Sequence, residues 1–127
     1  LLLVSLKYFP NKQKVVKKIA DRYNSELSHQ INYQNVSKGE IHGRFVYVIA
    51  TERRNALMQH LKSKDIETKI MHEPLSYDAH AYKNMESHST PMAEELLKKS
   101  LVIPCHDKMS KEQVDYVIES INEFFKK

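Results

Sequence analysis

Between Pro10 and Leu27 the apolar residues Val15, Val16, Ile19, Ala20, Tyr23 and Leu27 recur three and four apart. That spacing gathers them on one stripe and predicts a helix. Residues 28–43 are polar and turn-rich and read as a connector, with a short extended piece near Ile31 to Val36. At Arg44 to Thr51 the period drops to two, with Phe45, Tyr47 and Ile49 on one side and Val46, Val48 and Ala50 on the other. Apolar residues on both sides predict a central strand covered on both faces. Thr51 is placed to cap a helix running to about Lys64, with Leu57, Met58 and Leu61 facing inward. Ile66 to His72 alternates again, with Ile66, Thr68, Ile70 and His72 on one face and Glu67, Lys69 and Met71 on the other. One apolar face and one polar face predict an edge strand.

The segment from Glu73 to Ser89 has no period and mixes Pro74, Tyr77, His80, Tyr82 and His88. Such a polar-aromatic stretch marks a functional or interface loop. Thr90 and Pro91 then start a helix ending near Lys99, because proline suits the first helical position. Leu101, Val102 and Ile103 form a short strand stopped by Pro104. Ser110 and Gln113 have capping-box spacing, and Val114, Val117, Ile118, Ile121 and Phe125 make the stripe of a last helix. The pattern predicts an α+β fold: a small three-stranded sheet, mixed or antiparallel, covered by helices.

Composition narrows the class. The chain has 127 residues, 41% hydrophobic and 28% charged, which suits one folded domain and excludes a disordered chain. Two glycines are too few for a glycine-rich phosphate loop. A lone cysteine, Cys105, closes no disulfide within the chain and points to a reducing, cytoplasmic setting. The net charge of +4 is local. Residues 1–20 carry five lysines and no acid, and residues 21–127 carry 15 basic and 16 acidic side chains. A lysine-rich helix face is a weak signal for nucleic acid, which needs a basic surface with aromatic or arginine readers. The opening run from Leu1 to Leu6 is too short to span a bilayer and lacks signal-peptide flanks. It reads as part of a helix that continues a longer polypeptide.

Candidate chemistry is sparse. His72, His80 and His88 recur every eight residues, which matches no metal-ligand pattern. Nothing in the sequence places a histidine beside Cys105, so a structural thiol is the plainer reading. No lysine sits in an apolar frame that would lower its pKa for Schiff-base chemistry. The stretch from His72 to Tyr77 is more informative, because an imidazole, a carboxylate and a phenol at the end of a strand can hydrogen-bond a polyol. A proline that merely ends the strand, beside a packed tyrosine, would account equally for this stretch.

The order of landmarks resembles a known family. It comprises Phe45 to Thr51 leading into a helix with Arg53-Arg54, then Asp65-Ile66-Glu67-Thr68-Lys69, the Pro74-Leu75 loop and Tyr82. The helix Thr90-Pro91-Met92-Ala93-Glu94-Glu95-Leu96 follows, and the chain closes with Leu101 to His106 and Glu112 to Ile118. This resembles the C-terminal portion of the DegT/DnrJ/EryC1/StrS family, the pyridoxal-phosphate (PLP) aminotransferases of nucleotide-linked keto-sugars. The opening residues 1–9 and Ile19 to Tyr23 resemble that family's helix leading into its small domain.

The resemblance implies a small C-terminal domain of a fold-type I aminotransferase, with residues 1–27 as a linking helix and residues 28–127 as the compact unit. The intact enzyme would move an amino group from an amino-acid donor, glutamate, to a keto-sugar, and work as a homodimer. PLP and its lysine would belong to a missing N-terminal large domain, so this chain alone is expected to bind no cofactor and to be inactive. The family puts histidine directly after its Pro-Leu pair, where this sequence has Ser76. His72, Ser76 and Tyr77 are therefore the expected substrate contacts, forming part of the pocket wall. Neither nucleic acid nor a membrane is expected as partner. A free-standing ferredoxin-like regulatory or ligand-binding module, and a basic nucleic-acid binder, are the alternative readings.

Overall fold

The computed structural model describes residues 2–71, 73–82, 84 and 89–126. The chain runs α1 (Leu2–Glu26), β1 (Asn32–Tyr33), β2 (Tyr47–Ala50), α2 (Arg54–Ser63), two short 3-10 turns (Ser76–Asp78 and His80–Tyr82), α3 (Pro91–Lys99), β3 (Ser100–Ile103) and α4 (Lys111–Lys126). The three strands form one antiparallel sheet in the order β1-β2-β3. The α+β expectation holds, in its antiparallel form.

Register explains where the core lies. Tyr47 pairs with Ile103 and Ile49 with Leu101, so these four side chains share one face of the sheet. All four are at most 4% exposed. Helices α1, α2 and α4 cover that face through Ile19, Ala20, Tyr23, Leu57, Leu61, Val117, Ile118 and Ile121, all in the same core. Buried polar groups in this core find partners. The Tyr23 hydroxyl donates to the Pro104 carbonyl at 2.7 Å, and the Tyr47 hydroxyl donates to Asn24 Oδ1. The two tyrosine rings meet edge to face with centroids 5.1 Å apart.

The helices are tied at their ends. Asn122 on α4 accepts from the Ser28 N–H and donates to the Glu26 carbonyl, each at 2.8 Å, closing the C-terminus of α1. Arg22 adds ion pairs to Glu26 at 2.6 Å and Asp115 at 2.7 Å. Ser110 and Gln113 exchange the two hydrogen bonds of a capping box at the start of α4.

Several expectations are corrected. The second face of β2 is covered only in part by the described residues: Val46, Val48 and Ala50 are half-buried. Phe45 does not join Tyr47 and Ile49, because Arg44 adopts φ 50° and the strand begins only at Tyr47; Phe45 is 87% exposed. Of the expected edge strand Ile66 to His72, the described residues Ile66 to Met71 form one bridge, Lys69 with Val102, and His72 lies outside the described residues. The third strand is instead β1, inside the extended piece of the connector. Its helix cap also differs, since Thr51 Oγ1 accepts from the Arg53 N–H while Arg53, with no side-chain cap, precedes α2. In α4, Phe124 faces the core and Phe125 is half-buried. Val15 stands at the edge of its stripe, 39% exposed. Helix α1 runs unbroken through Pro10 rather than beginning there.

Leu101→Ala is expected to destabilise the protein by about 2–5 kcal/mol, from lost transfer energy and the cavity left behind. Tyr23→Phe, which orphans the Pro104 carbonyl, is expected to cost about 1–3 kcal/mol. Denaturant unfolding measures both, and a cost below about 1 kcal/mol for Leu101→Ala would contradict the one-sided core.

Candidate functional site

Beyond the Lys69 bridge the chain turns away from the sheet and crosses the start of α3. The Glu73-Pro74 peptide is cis, and Leu75 is extended with φ −61° and ψ 153°. Ser76–Asp78 then closes one 3-10 turn through the Asp78 N–H to the Leu75 carbonyl at 2.9 Å. His80–Tyr82 closes a second, through Tyr82 to Ala79 at 2.9 Å. This segment and the α2–α3 junction enclose an open cleft of about 450 Å³, with Arg54, Tyr77, Glu94 and Lys98 in its wall.

One carboxylate holds the loop. Glu94 Oε1 accepts from the Tyr77 hydroxyl at 2.8 Å, the Thr90 N–H at 3.1 Å and Ser89 Oγ at 3.3 Å. Thr90 therefore does not cap α3 with its own side chain; Glu94 satisfies that N–H from inside the helix. The Tyr77 bond, then the Thr90 bond, hold the Glu94 carboxyl below the usual carboxylate range. The Tyr77 phenol is shifted upward. The Thr90 side chain pulls it down, but desolvation and the bond to Glu94 outweigh that pull.

Of the expected contacts, Ser76 is exposed on the first turn and Tyr77 is half-buried beside it. His72 lies outside the described residues. Sequence reasoning missed Glu94 and Arg54. Glu94 is 17 residues from Tyr77, and no periodicity links a loop tyrosine to a helix acid at that separation. Arg54 is 8% exposed, donates from Nε to the Lys98 carbonyl at 3.1 Å, and ties the start of α2 to the end of α3. Its Nη1 is buried without a partner among the described residues.

The remaining candidate groups point away from chemistry within this chain. Burial pushes the Cys105 thiol up to about 11, which keeps it protonated. Among the described residues no group of three or more His, Cys, Asp and Glu is arranged to hold a metal. No described lysine is buried. The nearest approach, Lys99, is paired with Glu52 at 2.7 Å and Glu95 at 2.6 Å, and these bonds push it up to about 12. An amine that forms a Schiff base needs the opposite shift. The described residues therefore do not fit the role of PLP carrier.

A family profile described as the DegT/DnrJ/EryC1/StrS aminotransferase family matches residues 1–122. The chain belongs to this family. Among its relatives, GDP-perosamine synthase of Escherichia coli O157:H7 is 32% identical over 112 residues, covering 86% of this chain and 30% of that protein. The crystal structure of a DegT DnrJ EryC1 StrS aminotransferase from Brucella abortus superposes with a TM-score of 0.91 at 26% identity, covering 99% of this chain and 34% of that one. The PLP-form of Spr1654 from Streptococcus pneumoniae gives a TM-score of 0.83 at 28% identity over 95% of this chain and 33% of that one. The chain of this DegT/DnrJ/EryC1/StrS member thus spans about a third of the length of the curated relatives it matches. No helix among its described residues is long and apolar enough to cross a membrane.

The latch between Tyr77 and Glu94 carries a pH signature. Because the Glu94 pKa is lowered, the stabilisation is fully present above the ordinary carboxylate pKa of about 4.3 and is lost as pH falls through the lowered value. Tyr77→Phe is expected to raise the Glu94 pKa toward the ordinary value, as read by NMR titration of the side-chain carboxyl. An unchanged Glu94 titration in that variant would contradict the latch.

Proposed function

We propose that this chain is the C-terminal small domain of a PLP-dependent aminotransferase acting on nucleotide-linked keto-sugars, in amino-sugar biosynthesis. The observation that carries the reading is the family match over residues 1–122 combined with a span of only about a third of the relatives. In this reading the large domain lies upstream and supplies the lysine and the PLP site, and PLP when bound there supplies the electron sink for amino transfer. Glutamate is the amino donor, a homodimer is the working unit and the cytoplasm its setting.

The division of labour follows the fold. Residues 1–27 lead from the large domain, while the C-terminal half of that same helix is rooted in the core of residues 28–127. The exposed start of α1 (Leu2, Leu3 and Leu6, each at least 62% exposed) and the open sheet face beside Phe45 receive the large domain. The loop from His72 to Tyr77 forms part of the substrate wall. Ser76 offers its hydroxyl to the sugar, while Tyr77, held by Glu94, sets the position of the turn. By itself this domain binds no PLP and transfers no amino group.

The test is kinetic and uses the full-length protein with PLP, glutamate and a nucleotide-linked keto-sugar. Turnover of glutamate to its keto-acid that depends on the sugar nucleotide is the expected result. Ser76→Ala is expected to raise KM for the sugar nucleotide about fivefold, the equivalent of one hydrogen bond, with kcat and the KM for glutamate little changed. Full-length protein that retains PLP yet transaminates no nucleotide-linked keto-sugar would overturn the reading.

A further inference from the structure

A second cleft, of about 530 Å³, lies between the middle of α1 and the connector from Tyr33 to Arg44. It shares no lining residue with the candidate site. The connector is fastened around it. Gln13 Nε2 donates to the Gly43 carbonyl at 3.0 Å, the His42 ring bonds Gln34 Oε1 at 2.9 Å, and the Arg44 N–H donates to His42 Nδ1 at 2.8 Å. These bonds hold Arg44 at φ 50°, in the left-handed region that a non-glycine residue adopts reluctantly. Arg44 thus lines the cleft from a backbone position that glycine would occupy more easily.

The charges in the cleft do not cancel. Lys17 is taken by Asp21 at 2.6 Å, while the Glu40 carboxylate, which accepts the Ser37 N–H at 3.3 Å, keeps its negative charge, so Lys14, Lys17 and Arg44 against Asp21 and Glu40 leave the lining one net positive charge. Lys14 and Arg44 have no ion-pair partner among the described residues. Tyr33 and Asn35 add further polar groups to the lining. Two cations without an ion-pair partner in one lining, set against the single carboxylate of Glu40, leave a net positive cleft, and the planar fork of donors of a guanidinium suits an oxygen-rich anion.

We propose that this cleft binds a phosphoryl-bearing small molecule, with Lys14 and Arg44 as its counter-charges. The site is independent of the aminotransferase reading, since it uses neither Ser76, Tyr77 nor any cofactor. The two readings therefore stand or fall separately.

Calorimetric titration of the full chain with inorganic pyrophosphate, at fixed ionic strength, tests it. Saturable binding with a Kd below about 1 mM is expected. Arg44→Gly suits the same φ while it removes the side chain that carries the guanidinium; combined with Lys14→Ala it is expected to weaken binding at least about tenfold. Lys7→Ala removes one positive charge outside the cleft, against two in the double variant, and is expected to change Kd by less than about twofold. A nucleoside diphosphate that binds tighter than pyrophosphate assigns the anion to a nucleotide lying beside Tyr33, and equal affinity assigns it to the phosphates alone. No saturable binding, or a Lys7→Ala effect as large as that of the double variant, would overturn the proposal.

Discussion

The antiparallel pairing of β2 with β3 is the constraint on which the rest of this structure depends. Its register puts Tyr47, Ile49, Leu101 and Ile103 on one face, and each is at most 4% exposed. A slip of one residue would exchange them for Val48 and Val102 and strip the core from beneath three helices. The same pairing fixes the chain's other end. Pro104, which follows β3, receives the Tyr23 hydroxyl and so anchors α1 to the sheet. The Thr51 N–H donates to the Lys99 carbonyl at 3.0 Å, joining the segments that follow β2 and precede β3.

That arrangement divides the molecule by chemistry as well as by packing. The closed face is apolar, and its few buried hydroxyls are spent on internal partners. The reactive groups lie elsewhere, and most are already engaged: Lys99 by two carboxylates, Tyr77 by Glu94, and the Cys105 thiol by burial that keeps it protonated. The open sheet face, the start of α1 and the loop across α3 carry the surfaces that a small domain would turn toward a larger body. This is why membership of the DegT/DnrJ/EryC1/StrS aminotransferase family and an inert-looking interior are compatible.

Features set by neighbours in the chain were legible in the sequence. The capping box of Ser110 and Gln113, the β3 run and the α4 stripe from Val114 to Ile121 all depend on residues within a few positions of one another, and all formed as expected, with Phe124 rather than Phe125 completing the stripe. Ile66 to His72 had the alternation of a strand, but among the described residues it met β3 only at Lys69, because alternation reports faces and not the presence of a partner. Phe45 shared the period of Tyr47 and Ile49, yet the backbone turn at Arg44 took it out of the strand. In the candidate site, Ser76 and Tyr77 could be named from the loop and the family resemblance. Their fastening to Glu94 and the burial of Arg54 arise from tertiary contacts that no local pattern encodes.

The central claim is that this domain leans on another part of the same protein. Hydroxyl-radical footprinting of the full-length protein measures that directly, because Phe45 and Phe124 provide two phenylalanines of opposite exposure here, 87% and 8%. The account predicts that Phe45 is labelled as slowly as Phe124. Labelling of Phe45 at the rate of a freely exposed ring would contradict it.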